Sequence, residues 1–290
     1  MTVTLNLQRI KSSLETLRSL SLDTIYNSEI MARDIQIFES VFSTNQTVWE
    51  LQQQGKGRKS ATVAIATQQT AGRGQWGRQW QSTPGGLYLS MGVNFNFAIA
   101  PALRHARIAQ PAQLTMATAW GIASLLREYS IPVQLKWPND LILNKRKLGG
   151  ILTETKVCQQ QIIQAVIGVG INWNNTVPDT GINLQQFLNQ SADVAKVQSL
   201  ELLAALVIRG IELGLQLCLQ GRMDHLLKSY TKLLNSLGRR VEIDGNLGTV
   251  IGVTESGELR VQLNSTTGEV FHREICIKPG TISLGYDSDW

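Results

Sequence analysis

Two short strings concentrate side chains able to do chemistry. In "LKWPNDLILNKRKLGG", residues 135–150, Lys136 precedes Trp137-Pro138, Asp140 follows, and Lys147 stands just ahead of Gly149 and Gly150. Pro138 fixes its own φ and holds Trp137 extended, and Asn139-Asp140 turns the chain into the next strand. A cation and a carboxylate therefore emerge together, although a decorated hairpin would use the same Pro-Asn-Asp turn. In "TAGRGQWGRQW", residues 70–80, Gly72, Gly74 and Gly77 interleave with Arg73, Arg78 and two tryptophans, and no acid is present.

The three glycines satisfy G-x-G-x-x-G, but a dinucleotide turn would open a helix and be followed about twenty residues later by an acid. Here the loop runs into Pro84-Gly85-Gly86, and no acid follows until Glu128. The lysine, H-R-D and D-F-G strings of a kinase and the P-loop string are absent. Residues 51–127 contain no Asp or Glu but carry Lys56, Arg58, Lys59, Arg73, Arg78, Arg104, Arg107 and Arg127. The whole chain holds 27 Lys+Arg against 22 Asp+Glu, net +5, so the asymmetry is local. An anionic ligand at the loop and a solvated basic face or nucleic-acid patch both fit that charge.

In "VIGVGIN", Gly168, Gly170 and Asn172 share one strand face by the period of two. Bare backbone there admits a flat ligand or a tightly packed neighbour.

Positioning these groups requires a large core, which 290 residues at 43% hydrophobic content can supply. Leucines and isoleucines between Leu5 and Leu20 lie near helical spacing, predicting an amphipathic helix over 5–20. A strand "IQIFES" is expected next, then a helix from "STN", with Ser43, Thr44 or Asn45 as its cap. "ATVAIAT" is a strand feeding the glycine loop, and "GGLYLSMGVNF" alternates, with Leu87, Leu89, Met91 and Val93 on the core face. A helix over 112–129, a strand "VQLKW", two strands joined at 144–146, a strand "QIIQAVIGVGINW" and a helical tract over 200–237 follow. Beyond Gly238, short alternating runs with turns at "DGNLG", "ESGE" and "NSTTGE" predict a small β-barrel.

Cys158, Cys218 and Cys276 are too scattered for a disulfide framework or zinc site, which points to a reducing compartment. His105, His225 and His272 lie outside the glycine-rich strings and read as surface histidines. No apolar stretch reads as a signal peptide or as the roughly 18 residues of a membrane span. Glu15, Asp23 and Glu29 disfavour a transit peptide. The expected location is cytoplasmic, without membrane attachment.

Taken together and in order, "STN", "QTAGRGQWGRQW", "LYLSM", "KWPNDLILNKRKLGGIL" and "VIGVGIN", followed by a terminal β-domain, resemble biotin protein ligases over about residues 35–280. The resemblance implies an α+β fold. Its catalytic domain would be like that of class II aminoacyl-tRNA synthetases, on a mixed, largely antiparallel sheet, followed by an SH3-like barrel. It divides the chain into a helical extension 1–34, a catalytic domain 35–235 and a barrel 236–284. It also implies that biotin and ATP, with Mg²⁺, form biotinyl-5′-AMP, whose acyl group passes to a lysine of a biotin carboxyl carrier protein or domain, as in acetyl-CoA carboxylase.

By the same resemblance, Lys136, Asp140, Lys147 and Arg73 are the catalytic candidates. Ser43, Thr44, Asn45, Gln69, Gly72, Arg73, Tyr88, Lys147, Gly150 and Gly168 are the expected biotin contacts. Arg73, Arg78, Trp80, Asn139, Lys147 and Asn172 are the expected adenylate contacts, and the metal ligands are unknown. Fixed cations suit a carboxylate attacking a polyanion. The acceptor lysine, with an ordinary pKa of about 10.4, costs about 4–5 kcal/mol to deprotonate at neutral pH. Asp140 is expected to orient that amine while Lys136 steadies developing charge.

Many relatives carry arginine at the position of Gln75 and a polar or basic residue at Trp76, so less charge clamps the intermediate here, and Trp76 is placed to compensate by covering it. About 40 residues precede "STN", too few for the DNA-binding winged helix of bifunctional relatives, so no sequence-specific DNA binding is expected. Lipoate ligases and an RNA-binding module are the rival readings; "KWPND" and "GRGxxGR" favour biotin. Oligomeric state, a homodimer included, is left open.

Overall fold

In a computed structural model of the chain, the described residues are 5–20, 32–55, 61–95, 108, 110–190, 197–264, 273–282 and 284–285. Lys56, Arg58, Lys59, Arg104, His105, Arg107, Asp23, Glu29, His272 and most of the "NSTTGE" turn lie outside them.

The architecture follows from a seven-stranded sheet ordered β1-β2-β3-β7-β6-β5-β4. These strands are β1 Ala32–Val41, β2 Ala61–Gln69, β3 Leu87–Asn94, β4 Gln134–Lys136, β5 Asp140–Leu143, β6 Arg146–Cys158 and β7 Gln161–Ile171. β1 and β2 pair in parallel and every other pairing is antiparallel. The parallel pair requires a crossover, which α2, Thr44–Gln53, supplies. Two tight hairpins set the register on the other side. Asn144 and Lys145 between β5 and β6, and Gln159 and Gln160 between β6 and β7, all have positive φ, the conformation that matches strand twist in a two-residue turn.

Leu87, Leu89, Met91 and Val93 face the main core as expected. The other face of β3 is buried too, with Tyr88 and Ser90 almost inaccessible. The alternation therefore separates two interiors rather than core from solvent. On the second side, Val48 of α2 packs with Ala64 and Val166.

The main-core face is covered by α3, Pro111–Glu128, and α5, Leu200–Leu219, with α1, Leu7–Leu20, docked on α5. Pro111 opens α3, and the Gln110 N–H donates to Gln113 Oε1 at 3.2 Å. α5 begins where Ser199 Oγ accepts from the Leu202 N–H at 3.1 Å. α3 and α5 cross so closely that a Cβ on Gly121 would meet the Gly210 carbonyl.

The helical tract expected over 200–237 is two helices, α5 and α6, Met223–Leu233. Gly221, at φ +67°, breaks it. The chain also forms a short α4, Leu184–Gln190. α5 meets the length and apolarity of a membrane span, contrary to the sequence expectation, but 89% of that window is buried inside the fold.

Its interior holds Glu212, fully buried between Arg209 and Arg18, so α1 is tied to α5 by ions as well as by Ile10, Leu14 and Leu17. The C-terminal region forms a separate four-stranded antiparallel sheet: β8 Arg240–Ile243, β9 Asn246–Val253, β10 Leu259–Leu263 and β11 Glu274–Ile277. Its connection to the first sheet includes Trp137 Nε1 donating to the Gly257 carbonyl at 2.8 Å.

Candidate active site

A cavity of about 330 Å³ opens above β6 and β7, enclosed by the start of α2, the glycine loop, the β4–β5 turn and residues 280–282 and 284. Each wall is explained by local chemistry.

The glycine loop is a hairpin closed on itself, not the start of a helix. The Trp80 N–H donates to the Gly72 carbonyl at 3.0 Å and the Gly74 N–H to the Arg78 carbonyl at 2.7 Å. A single 3₁₀ turn, Gln75–Gly77, forms the tip. Gly72 is required at the base, because a Cβ would strike Ser82 Oγ and the Trp80 carbonyl.

The N-terminus of α2 is capped from β2. Ser43 occupies the capping position but makes no side-chain capping bond. The Thr44 N–H and Oγ1 donate instead to Gln69 Oε1, at 2.8 and 3.1 Å. Gln69 Nε2 donates to Ser82 Oγ at 2.7 Å, and Ser90 Oγ lies 2.6 Å from Asn45 Oδ1 and 2.7 Å from Thr44 Oγ1. This buried network locks Thr44, Asn45 and Gln69 in place at the cavity wall.

The glycine face of β7 is occupied by the chain itself. A Cβ on Gly168 would collide with the Asn45 amide, and one on Gly170 would lie 2.6 Å from Trp80 Nε1. Among the two expectations for that face, a flat neighbour, the Trp80 indole, is what approaches. Gly150 differs: a Cβ there would stand 3.5 Å from Asp140 Oδ1 and from Trp80, an ordinary contact.

Opposite registers in the β4–β5 hairpin pair Lys136 with Asp140. Lys147 Nζ lies 2.7 Å from Asp140 Oδ1 and Lys136 Nζ 3.8 Å from Asp140 Oδ2. Lys147 also stands 5.2 Å from the Trp80 ring centroid, so carboxylate and indole together fix its ammonium. Burial pushes Lys136 below the ordinary lysine range; Asp140 opposes this, and Lys147, Arg78 and Arg239 add to it.

Of the residues expected from the sequence, Ser43, Thr44, Asn45, Gln69, Arg73, Arg78, Trp80, Lys136, Asn139, Asp140, Lys147, Gly150 and Gly168 all line this one cavity. Gly72, Tyr88 and Asn172 are not among its lining residues. Tyr88 is buried, donates to the Thr83 carbonyl at 2.6 Å and has its phenol pushed up to about 12 by burial. Asn172 braces β7 by donating to the Lys147 carbonyl at 3.4 Å and accepting from Asn175 Nδ2 at 3.0 Å.

Glu154 was missed from the sequence. Its carboxylate pairs with Arg73 at 3.0 Å and accepts from Asn45 Nδ2 and Trp49 Nε1. The alternation Gly150, Leu152, Glu154 along β6 was the signal, since the three share a face. Gly280, Thr281, Ile282 and Leu284 were missed as well, and no local pattern ties them to the site.

Cys158, Cys218 and Cys276 are free thiols. Among the described residues, no group of three or more His, Cys, Asp or Glu side chains could hold a metal. The carboxylates of Asp140 and Glu154 are already engaged by Lys147 and Arg73.

Residues 37–172 match the biotin/lipoate A/B protein ligase family. The bifunctional ligase/repressor BirA of Salmonella typhimurium is 31% identical over 276 residues, spanning 93% of this chain and 80% of that protein. The biotin protein ligase of Aquifex aeolicus, solved with biotin and ATP, superimposes with a TM-score of 0.63 at 23% identity, covering 84% of this chain and 95% of that one. The Leishmania major biotin protein ligase, solved with biotinyl-5-AMP, gives 0.55 at 21% identity, covering 86% and 100%. These structures share the fold, a class II synthetase-like catalytic domain on a mixed sheet. With its motifs converging on one cavity and a relative of that similarity matched along most of its length, the chain belongs to the biotin/lipoate A/B protein ligase family.

Proposed function

We propose that this protein is an ATP-dependent biotin–protein ligase, which activates biotin as biotinyl-5′-AMP and transfers the biotinyl group to a lysine of a biotin carboxyl carrier protein or domain. The observation that carries this is the convergence of Arg73, Arg78, Lys136 and Lys147 on one cavity that Gly150 leaves open on β6.

In the first step a biotin carboxylate oxygen attacks the α-phosphorus of ATP, and the bond to pyrophosphate breaks. Charge builds on the phosphoryl oxygens, where Arg73, Arg78 and Lys147 supply donors already fixed by Glu154, Trp76 and Asp140. Thr44, Asn45, Gln69, Gly150 and Gly168 shape the biotin end, with Ser43 beside them. Trp80 and Asn139 border the adenylate end, and Gly72, Tyr88 and Asn172 act from behind the wall by holding its backbone. Among the described residues no carboxylate or histidine cluster would hold a metal, and magnesium would be carried on the phosphate oxygens of the nucleotide.

In the second step the acceptor ammonium gives one proton to solvent, the free amine attacks the acyl carbon, AMP leaves with the bonding pair, and the second amine proton passes to solvent. Asp140 orients the ammonium before attack, and Lys136 steadies the charge that develops on the departing AMP.

The same reading divides the chain into an extension 1–34, a catalytic domain 35–235 and a C-terminal domain 236–284, whose antiparallel strands would form an SH3-like barrel. It puts the enzyme in the cytoplasm. The deciding experiment is biotin-dependent ATP–pyrophosphate exchange with lipoate as control: exchange with biotin alone supports the assignment, and exchange with lipoate alone, or with neither, overturns it.

A further inference from the structure

The four cations of the cavity are not held alike. Arg73 is held by Glu154, and Lys136 and Lys147 by Asp140. Among the described residues Arg78 has neither a carboxylate partner nor a side-chain hydrogen bond. What it has is the ring of Trp76, whose centroid lies 5.7 Å from Arg78 Cζ, inside the range of a cation–π contact.

Trp76 is itself in an unusual state. It stands at φ 55°, ψ 40° at the loop tip, a left-handed conformation that a bulky side chain adopts only when its surroundings hold it. It is also 53% exposed, so no core packing does the holding. The neighbour that does is Gly280, at φ +91°, where an added Cβ would lie 2.9 Å from Trp76 Cε2. The indole thus rests on bare backbone of the C-terminal segment. It also borders a second cavity, of about 330 Å³, lined by Pro111, Met116, Leu152 and Pro279, and so stands as a partition beside the active cavity.

We infer that Trp76 is a positioning residue for Arg78, seated by Gly280, so that the C-terminal segment sets the geometry of a nucleotide-binding cation through an aromatic relay. The inference rests on the ligase reading for what Arg78 binds, and not for the relay itself. At Gly280 the positive φ and the indole both leave no room for a side chain, and Trp76 holds its left-handed backbone with its ring against that glycine.

The test uses the full-length protein and two readouts. In biotin-dependent pyrophosphate exchange, Trp76→Leu keeps apolar bulk on Gly280 but loses the ring face. It is expected to raise KM for ATP about two- to fivefold, the worth of one partly exposed cation–π contact, with kcat changed less. Trp76→Phe restores most of this, Gly280→Ala reproduces it by displacing the indole, and adding Trp76→Leu to Arg78→Ala has no further effect. In NMR of protein labelled at arginine, the Arg78 side-chain protons carry a ring-current shift that Trp76→Leu and Gly280→Ala abolish. A Leu variant with wild-type KM, full additivity with Arg78→Ala, or Arg78 resonances unmoved by either substitution overturns the relay. Wild-type protein without any exchange overturns the ligase reading instead, and the NMR shift still decides the relay.

Discussion

Glu154 Oε1 lies 3.0 Å from Arg73 Nη2, and Oε2 of the same carboxylate takes hydrogen bonds from Asn45 at 2.9 Å and Trp49 at 3.2 Å. One β6 side chain thereby joins the glycine loop to the first turn of α2, two walls of the cavity. Because Arg73 is 44% exposed in its side chain and Glu154 27%, solvent screens the pair and an anionic ligand can compete for the guanidinium.

Replacing Glu154 by Gln leaves an acceptor for Asn45 and Trp49 but removes the competing charge. KM for ATP in pyrophosphate exchange is expected to fall about two- to fourfold, the worth of an exposed ion pair. Glu154→Ala also strips the acceptor and should lower stability by about 1 kcal/mol, read by urea unfolding.

Asp140 sits between two ammonium groups, so Asp140→Asn should separate the two half-reactions. Adenylate formation, followed by pyrophosphate release, is expected to persist, while transfer to a carrier domain slows at least about tenfold. Normal transfer would sink the assigned role. The pH dependence has a definite sign. Burial lowers the pKa of Lys136 and Asp140 partly offsets this, so the wild-type transfer rate should decline on the alkaline side below the pH at which a free lysine titrates. In Asp140→Asn the opposing carboxylate charge is gone, and that limb moves to still lower pH.

Gly150 and Gly170 make a matched pair of tests. A Cβ at 170 would press on Trp80 at 2.6 Å, whereas one at 150 has ordinary contacts at 3.5 Å. Gly170→Ala is expected to lose about 1–3 kcal/mol of stability through overpacking. Gly150→Ala should unfold like wild type yet bind biotin more weakly, because its methyl group enters the cavity. Isothermal titration with biotin beside urea unfolding separates the two outcomes.

Glu212 is fully buried between Arg18 and Arg209. Glu212→Ala removes the buried carboxylate that both guanidinium groups hold and should cost about 3–5 kcal/mol. Arg18→Met leaves Arg209 in place and should cost clearly less; equal losses in urea unfolding would contradict the arrangement.

Much of the scaffold was legible because its signals are local. Leu87, Leu89, Met91 and Val93 announced a strand through period-two spacing, and the residues flanking Asn144 announced a hairpin. The absence of acids around the glycine loop was likewise legible, and fitted an anionic ligand and a solvated basic face equally. The break at Gly221 was missed, although Gln220-Gly221-Arg222 interrupts the apolar pattern and a glycine of positive φ commonly ends a helix.

By itself, then, the sequence determined most of the strands and helices, though not the split at Gly221 or α4, and which polar residues belong together as motifs, since backbone preference and side-chain alternation act over a few residues. Tertiary structure alone decided that Gln69 caps α2, that Trp80 fills the glycine face, that Glu154 restrains Arg73 and that Gly280 seats Trp76. Those contacts join residues from 25 apart, as in Thr44 to Gln69, to 81 apart, as in Arg73 to Glu154, and more. Such pairs are selected by how whole sheets and loops pack, a property that no short window of residues contains.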